Sequence, residues 1–328
     1  MNDNGTKNFE ATKATPANVE KKSAPDLKKI IKLSIFAAAI IILVLFCAII
    51  ITEIAYKVGG TKPNGSGNTN KIKYTETQLA SSDSKKGTLL IINKTYAIGS
   101  DAKADAASKV QNVQGYNATN GAKVYYGLPA KTPSLLPDVI DAFNKMMEDL
   151  NKDTSCSDIL LAYGYMVPKA ATIECDYPHE LGSVVDIKIT NSTGTYPLSS
   201  NDAVVSWLKN NAAKYGFINS DPTGTLHVDP VEAVPSTQFR YVGVAHASYI
   251  ASNNMSLDSY VELLKNSHAT PDNALSIAGA DGNAYSVYYT SASNDAYTTV
   301  KVPENFSYTV SGDNIGGFIV TVNLADEK

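Results

Sequence analysis

The 328-residue chain has little arginine, histidine, cysteine or tryptophan. Arg240 is its only arginine and its net charge is −4, so it carries no electrostatic footprint for nucleic acid and no guanidinium cluster for phosphate. Four histidines, His179, His227, His246 and His268, are the only imidazoles a metal site could draw on. Of the three cysteines, Cys47 falls within a long apolar run. Cys156 and Cys175 are left, and a bridge between them would close a loop of about 20 residues, worth roughly 3 kcal/mol. Two buried free thiols are the open alternative.

One stretch lacks charge altogether. Residues 33–52, "LSIFAAAIIILVLFCAIIIT", are long enough to cross a bilayer core, which takes about 20 apolar residues. No small-residue cleavage site follows, which argues against a signal peptide. Lys21, Lys22, Lys28, Lys29 and Lys32 crowd the N-terminal flank, against Lys57 and Lys62 on the other. The positive-inside bias predicts a cytoplasmic N-terminus and an extracytoplasmic remainder, anchored once in the cell membrane through residues 33–52. Tyrosine is abundant, with 19 residues, which suits extracellular strands and polysaccharide-facing surfaces.

Past the anchor, "VGGTKPNGSGNTNK" (58–71) reads as a flexible linker. "TLLIINKTYAI" (88–98) reads as a strand, and residues 100–131 as mixed, with short strand signals such as "AKVYYGL". Apolar spacing predicts a helix over 135–151, with Pro137 in its first turn. "DILLAYGYM" (158–166) and "GSVVDIKIT" (182–190) read as buried strands. Residues 200–217 form an amphipathic pattern, capped by Ser200 or Asn201 and ended at Gly216. "QFRYVG" (238–243) predicts a strand, followed by two short helices, the second capped by Ser256. The tail predicts strands, with a hairpin turning at Asp281-Gly282.

The boxes "YPHELGSVVDI", "WLKNNAAKYGFI" and "FRYVGVAHASYIASNN" follow one another in that order. Together they resemble the VanY-type D-alanyl-D-alanine carboxypeptidases, zinc peptidases of the lysostaphin, D-Ala-D-Ala peptidase and hedgehog fold group. The resemblance covers residues 86–267. Together with the anchor read from composition, it gives an α+β fold class: an N-terminal transmembrane helix, a mixed α/β peptidase-like domain with a central antiparallel sheet, and a small C-terminal β appendage. The expected divisions are a disordered cytoplasmic tail (1–29), the transmembrane helix (30–56), a linker (57–85), the peptidase-like domain (86–270) and the extension (271–328).

The resemblance also implies chemistry. A catalytic zinc takes about three protein ligands and keeps one position for water, whose pKa it lowers to about 7. His179 and Asp186 match two ligands. The family's third ligand, the His of E-x-W-H, falls at Gln238. The Trp falls at Thr237, and the catalytic Glu falls at Pro235 or Val234. The Arg of S-G-Y-R-S falls at Met166 and its first Ser at Tyr163, and the Ser before the ligand His falls at Tyr177. Tyr165, Tyr177 and Met166 then mark the substrate-binding wall. His227 could serve as a displaced third ligand, with Asp229 or Glu232 as substitute base. His246 matches a structural position. "HEL" at 179–181 is not a zincin helix motif, since position 183 is Ser and its surroundings are strand-like.

Three classes stay open: an active zinc D,D-peptidase, a catalytically degenerate domain that binds peptidoglycan stem peptide or an envelope protein, and a purely structural envelope protein. The substitutions favour the second.

Overall fold

Six apolar side chains at helical spacing, Val139, Ile140, Phe143, Met146, Met147 and Leu150, turn one face of Pro137–Thr154 into a buried stripe. Each such side chain, fully buried, contributes about 1.5–3 kcal/mol. The computed structural model describes residues 71–93, 95–167, 178–220 and 237–328. Residues 71–328 fall in one structural unit. In chain order the strands are β1 (Tyr74–Ala80), β2 (Gln111–Asn112), β3 (Ser134–Leu135), β4 (Ile159–Tyr163), β5 (Val184–Asn191), β6 (Gly194–Tyr196), β7 (Phe217–Asn219) and β8 (Thr237–Tyr241). They continue as β9 (Leu275–Ala278), β10 (Ala284–Ser291), β11 (Tyr297–Pro303), β12 (Phe306–Gly312) and β13 (Gly317–Glu327). The helices are α1 (Ser100–Lys109), α2 (Val113–Asn120), α3 (Pro137–Thr154), α4 (Asp202–Asn211), α5 (Val244–Ser252) and α6 (Leu257–Ser267).

The central sheet is antiparallel, in the order β4-β5-β8-β7, with β6 paired to β5. Its inner face carries Ile159, Leu161, Val185, Ile187, Ile189 and Phe239, packed with the stripe of α3 and with Val204 and Leu208 of α4. Because strand side chains alternate, the opposite face carries Val184, Asp186 and Lys188 of β5 and Gln238 and Arg240 of β8. That face holds the candidate site.

A second sheet, in the order β12-β13-β10-β9, packs apolar side chains on both its faces. Val287, Tyr289 and Ile319 pack with Val242 and Ile250 and with Tyr260, Val261 and Leu264 of α6. Tyr288, Phe318, Val320 and Val322 pack with Val300 and Val302 of β11. His246 joins α5, α6 and β13: Nδ1 lies 2.8 Å from the Tyr260 hydroxyl and Nε2 lies 2.9 Å from Thr321 Oγ1.

Several expectations meet the structure directly. The helices at 137–154, 202–211, 244–252 and 257–267 form. Asn201 caps α4 by accepting from Val204 N, Ser256 caps α6 by accepting from Ser259 N, and Gly216 ends the α4 segment at φ 84°. Gly282 takes φ 89° in the β9–β10 turn.

Three expectations change. Leu89, Leu90 and Ile91 are buried, but the described part of 88–98, expected as a strand, does not form one. Their backbone bonds go elsewhere: Leu89 N donates to Ser311 Oγ, Ile91 N donates to Asp313 O, and the Thr88 and Leu90 carbonyls accept from Arg240. Residues 100–131, expected to be mixed with short strand signals, hold two helices, at 100–109 and 113–120, around the two-residue strand β2, and Ala102 and Ala106 suffice to bury one face of α1. Residues 74–80, expected within the linker, form β1 and pair along all of β11.

Among the described residues no helix is long and apolar enough to cross a membrane. The apolar run at 33–52 lies outside the described residues, as does Cys175. Cys156 is a free, half-buried thiol.

Candidate metal centre

Residues 178–181 make a single 3-10 turn that delivers His179 to the outer face of the central sheet. Gly182 then turns the chain into β5 at φ 68°, a conformation that suits glycine, and a Cβ there would run into Val110. The Gly182 carbonyl accepts from Leu136 N at 3.0 Å, which ties the turn to the start of α3. Glu180, beside the histidine, is buried and pairs with Lys103 of α1 at 2.8 Å. The sequence held no signal for this contact, because it depends on a helix that was not expected.

His179 Nε2 and Asp186 Oδ1 lie 3.0 Å apart. Both are buried, at 0% and 2% exposure. Asp186 sits opposite Gln238 across the β5–β8 ladder and opposite Tyr163 across the β4–β5 ladder. Asp186 and Gln238 therefore form one row with their side chains on one face, and Tyr163 pairs with Asp186 just past a bulge in β4. Gln238 is also buried, and its Oε1 accepts from Ser220 Oγ at 2.8 Å. Its Nε2 has no hydrogen-bond partner among the described residues.

This donor set can be compared with what zinc requires. His179 and Asp186 offer an imidazole nitrogen and a carboxylate oxygen, both good zinc donors. The position that completes the row is a neutral carboxamide whose oxygen is already engaged. Among the described residues no group of three His, Cys, Asp or Glu side chains gathers that could hold a metal ion. The described residues thus supply two of about three ligands and do not fit a catalytic zinc. His227, Asp229, Glu232 and Tyr177 lie outside the described residues.

The other candidates fall in distinct places. Tyr165 and Met166 line a cleft of about 630 Å³ with Tyr163 and Lys188. The backbone N–H of Tyr165 donates to Ser134 O at 2.7 Å, which anchors that wall on β3. Arg240 does not face this cleft. It is buried, bonds the Thr88 and Leu90 carbonyls at 2.9 and 2.8 Å, and burial pulls its pKa down to about 10. His268 Nδ1 lies 2.7 Å from Asn273 O, in the connection to β9.

No family model matches the chain. A D-alanyl-D-alanine carboxypeptidase of Enterococcus faecium is 26% identical over 265 residues, covering 78% of this chain and 80% of that protein. Among solved structures, the chain is similar to the vancomycin resistance D,D-dipeptidase VanXYg in complex with a D-Ala-D-Ala phosphinate analogue. The TM-score is 0.56 at 20% identity, covering 76% of this chain and 99% of that one, a likeness of fold. VanYB in complex with D-alanine-D-alanine aligns with a TM-score of 0.33 at 16% identity, over 53% of this chain and 97% of that one.

Proposed function

Since the chain is a VanY-like relative of the D-alanyl-D-alanine carboxypeptidases, we propose that it is a membrane-anchored, envelope-facing domain that binds cell-wall stem peptide without cleaving it. The observation that carries this reading is the row across β5 and β8. Asp186 faces Gln238, where the resemblance asks for a third imidazole. The fold of the relatives is kept and two ligand positions are kept, which supports descent from a peptidase. Losing the third ligand weakens the metal. Losing the Glu position to Pro235 or Val234 removes the proton carrier, itself worth roughly 10²–10⁴ in rate. Losing the Arg position to Met166 removes one charge that would orient a peptide carboxylate. These losses touch different parts of the mechanism, so one substitution elsewhere does not offset them all.

The apolar run at 33–52 and its lysine asymmetry support the anchoring. The test is metal content together with peptide binding. The full chain, purified in mild detergent and dialysed against trace zinc, should hold well under one zinc per chain by elemental analysis. It should nonetheless bind an acylated peptide ending in D-Ala-D-Ala in calorimetry. One zinc per chain would reject degeneracy, and absence of peptide binding would reject the binding role.

A further inference from the structure

We propose that the groove where the C-terminal sheet meets α1 and the starts of α3 and α5 binds a neutral oligosaccharide. The groove has a volume of about 860 Å³, in the range of sites that enclose a ligand. It shares no lining residue with the cleft of Tyr165 and Met166. One wall is a polar array on β12 and β13. Thr309 sits opposite Thr321 and Ser307 opposite Asn323, and because strand side chains alternate, all four share the face that turns to α5. Cross-strand neighbours lie about 5 Å apart and the two rows about 7 Å apart, a mesh on the scale of the hydroxyls around one pyranose ring. Thr309 is exposed and the other three are half-buried. The Asn323 carboxamide oxygen accepts from Ala325 N at 3.0 Å, which leaves its nitrogen to donate. Tyr285, opposite Asn323 on β10, and Tyr241 add aromatic rings to the lining. Asp138 lies beside Tyr241: burial first, and then that carboxylate, push the Tyr241 hydroxyl above its ordinary pKa.

The charges select against other ligands. Lys109 is the one lysine that lines the groove among the described residues, and Asp105 engages it at 2.7 Å. His246 also lines the groove, but burial keeps its ring neutral and both its nitrogens are bonded. Two aspartates against one lysine leave the lining with a net negative charge, which repels a carboxylate or a phosphate. A cationic ligand would meet Asp138, whose exposed carboxylate makes only a weak pair in solvent. An apolar ligand would cover the hydroxyls of Ser307 and Thr309 without bonding them, which costs free energy. A neutral sugar meets the whole lining. Its hydroxyls donate to Asp138, accept from Asn323 and do both with Ser307 and Thr309, while its C–H groups pack on the tyrosine rings.

The experiment titrates the full chain by calorimetry, in a detergent without a sugar headgroup. The probes are N-acetylated chitotetraose, cellotetraose and deacetylated chitotetraose. Wild type should bind at least one of the two neutral tetramers saturably. Ser307→Ala combined with Thr309→Val should weaken that binding at least about fivefold, the loss of two ordinary hydrogen bonds. Thr195→Val, in the cleft beside the central sheet, should leave it unchanged. Thermal melts check the folding of each variant. If the double variant does not fold, Gln111→Ala is read in its place, since Gln111 is exposed and lines the groove, and a loss of at least about twofold is expected. No saturable binding of either neutral tetramer overturns the proposal. So does binding that the groove variant leaves intact, and so does tighter binding of the cationic deacetylated tetramer than of its neutral parent. The peptide-binding reading stands or falls separately, because its peptide carries no sugar.

Discussion

At the scale of single residues, the buried polar groups divide into those that fix the fold and those on the face of the central sheet where the site is proposed. His246 belongs to the first kind. Burial pushes its pKa from 6.5 down to about 3, and its two ring nitrogens meet Tyr260 and Thr321 as donor and acceptor of a neutral ring. Between those pKa values the unfolded chain binds a proton that the folded chain does not. The stability contribution is therefore complete above about pH 6.5 and is lost as pH falls, by up to about 1.4 kcal/mol per pH unit. Denaturant unfolding at pH 6.5 and pH 5 should show a difference that shrinks by about 1–2 kcal/mol in His246→Gln. An unchanged difference would place the pH dependence elsewhere. Gln238 belongs to the second kind. Gln238→His would put a third good donor opposite Asp186, and zinc affinity should rise at least about tenfold, read by competition with a chromophoric chelator. No gain would mean that the side chain at 238 does not converge on His179 and Asp186.

At the scale of elements, the part that sequence reading misses most clearly is the N-terminal strap. Residues 74–80 follow a Gly- and Asn-rich stretch and carry few apolar groups, so they read as linker. They form a strand because β11 offers an open edge for seven consecutive pairs. A chain starting at residue 86 should therefore melt lower and aggregate more than one starting at residue 71, since β11 regains an exposed edge. Equal melting and solubility would show β1 to be dispensable. The helices at 137–154, 202–211 and 257–267 were legible because their apolar stripes and caps are local properties. α1 was not, because it is rich in Ala, Asp, Lys and Ser and buries only Ala102 and Ala106. The apolar run at 88–92 was legible as buried but not as irregular. Its partners, Ser311, Asp313 and Arg240, lie more than a hundred residues away. The proximity of His179 to Asp186, and of Asp186 to Gln238, was legible from the ordered boxes. The Glu180–Lys103 pair was not, because its neighbourhood exists only once α1 is placed.

At the scale of the whole molecule, the proposed anchoring through residues 33–52 carries its own prediction. A protease added outside intact cells should remove the region after about residue 55 and leave an N-terminal tag intact. Digestion of the tag would reverse the topology. The central claim, however, is that this relative of the D-alanyl-D-alanine carboxypeptidases binds without cleaving. Release of free D-alanine tests it most directly, with the full chain incubated with excess zinc and a peptide ending in D-Ala-D-Ala. The account predicts no release above a protein-free blank. Release that a chelator abolishes, and that His227→Ala also abolishes, would contradict it and assign His227 the place of the third ligand.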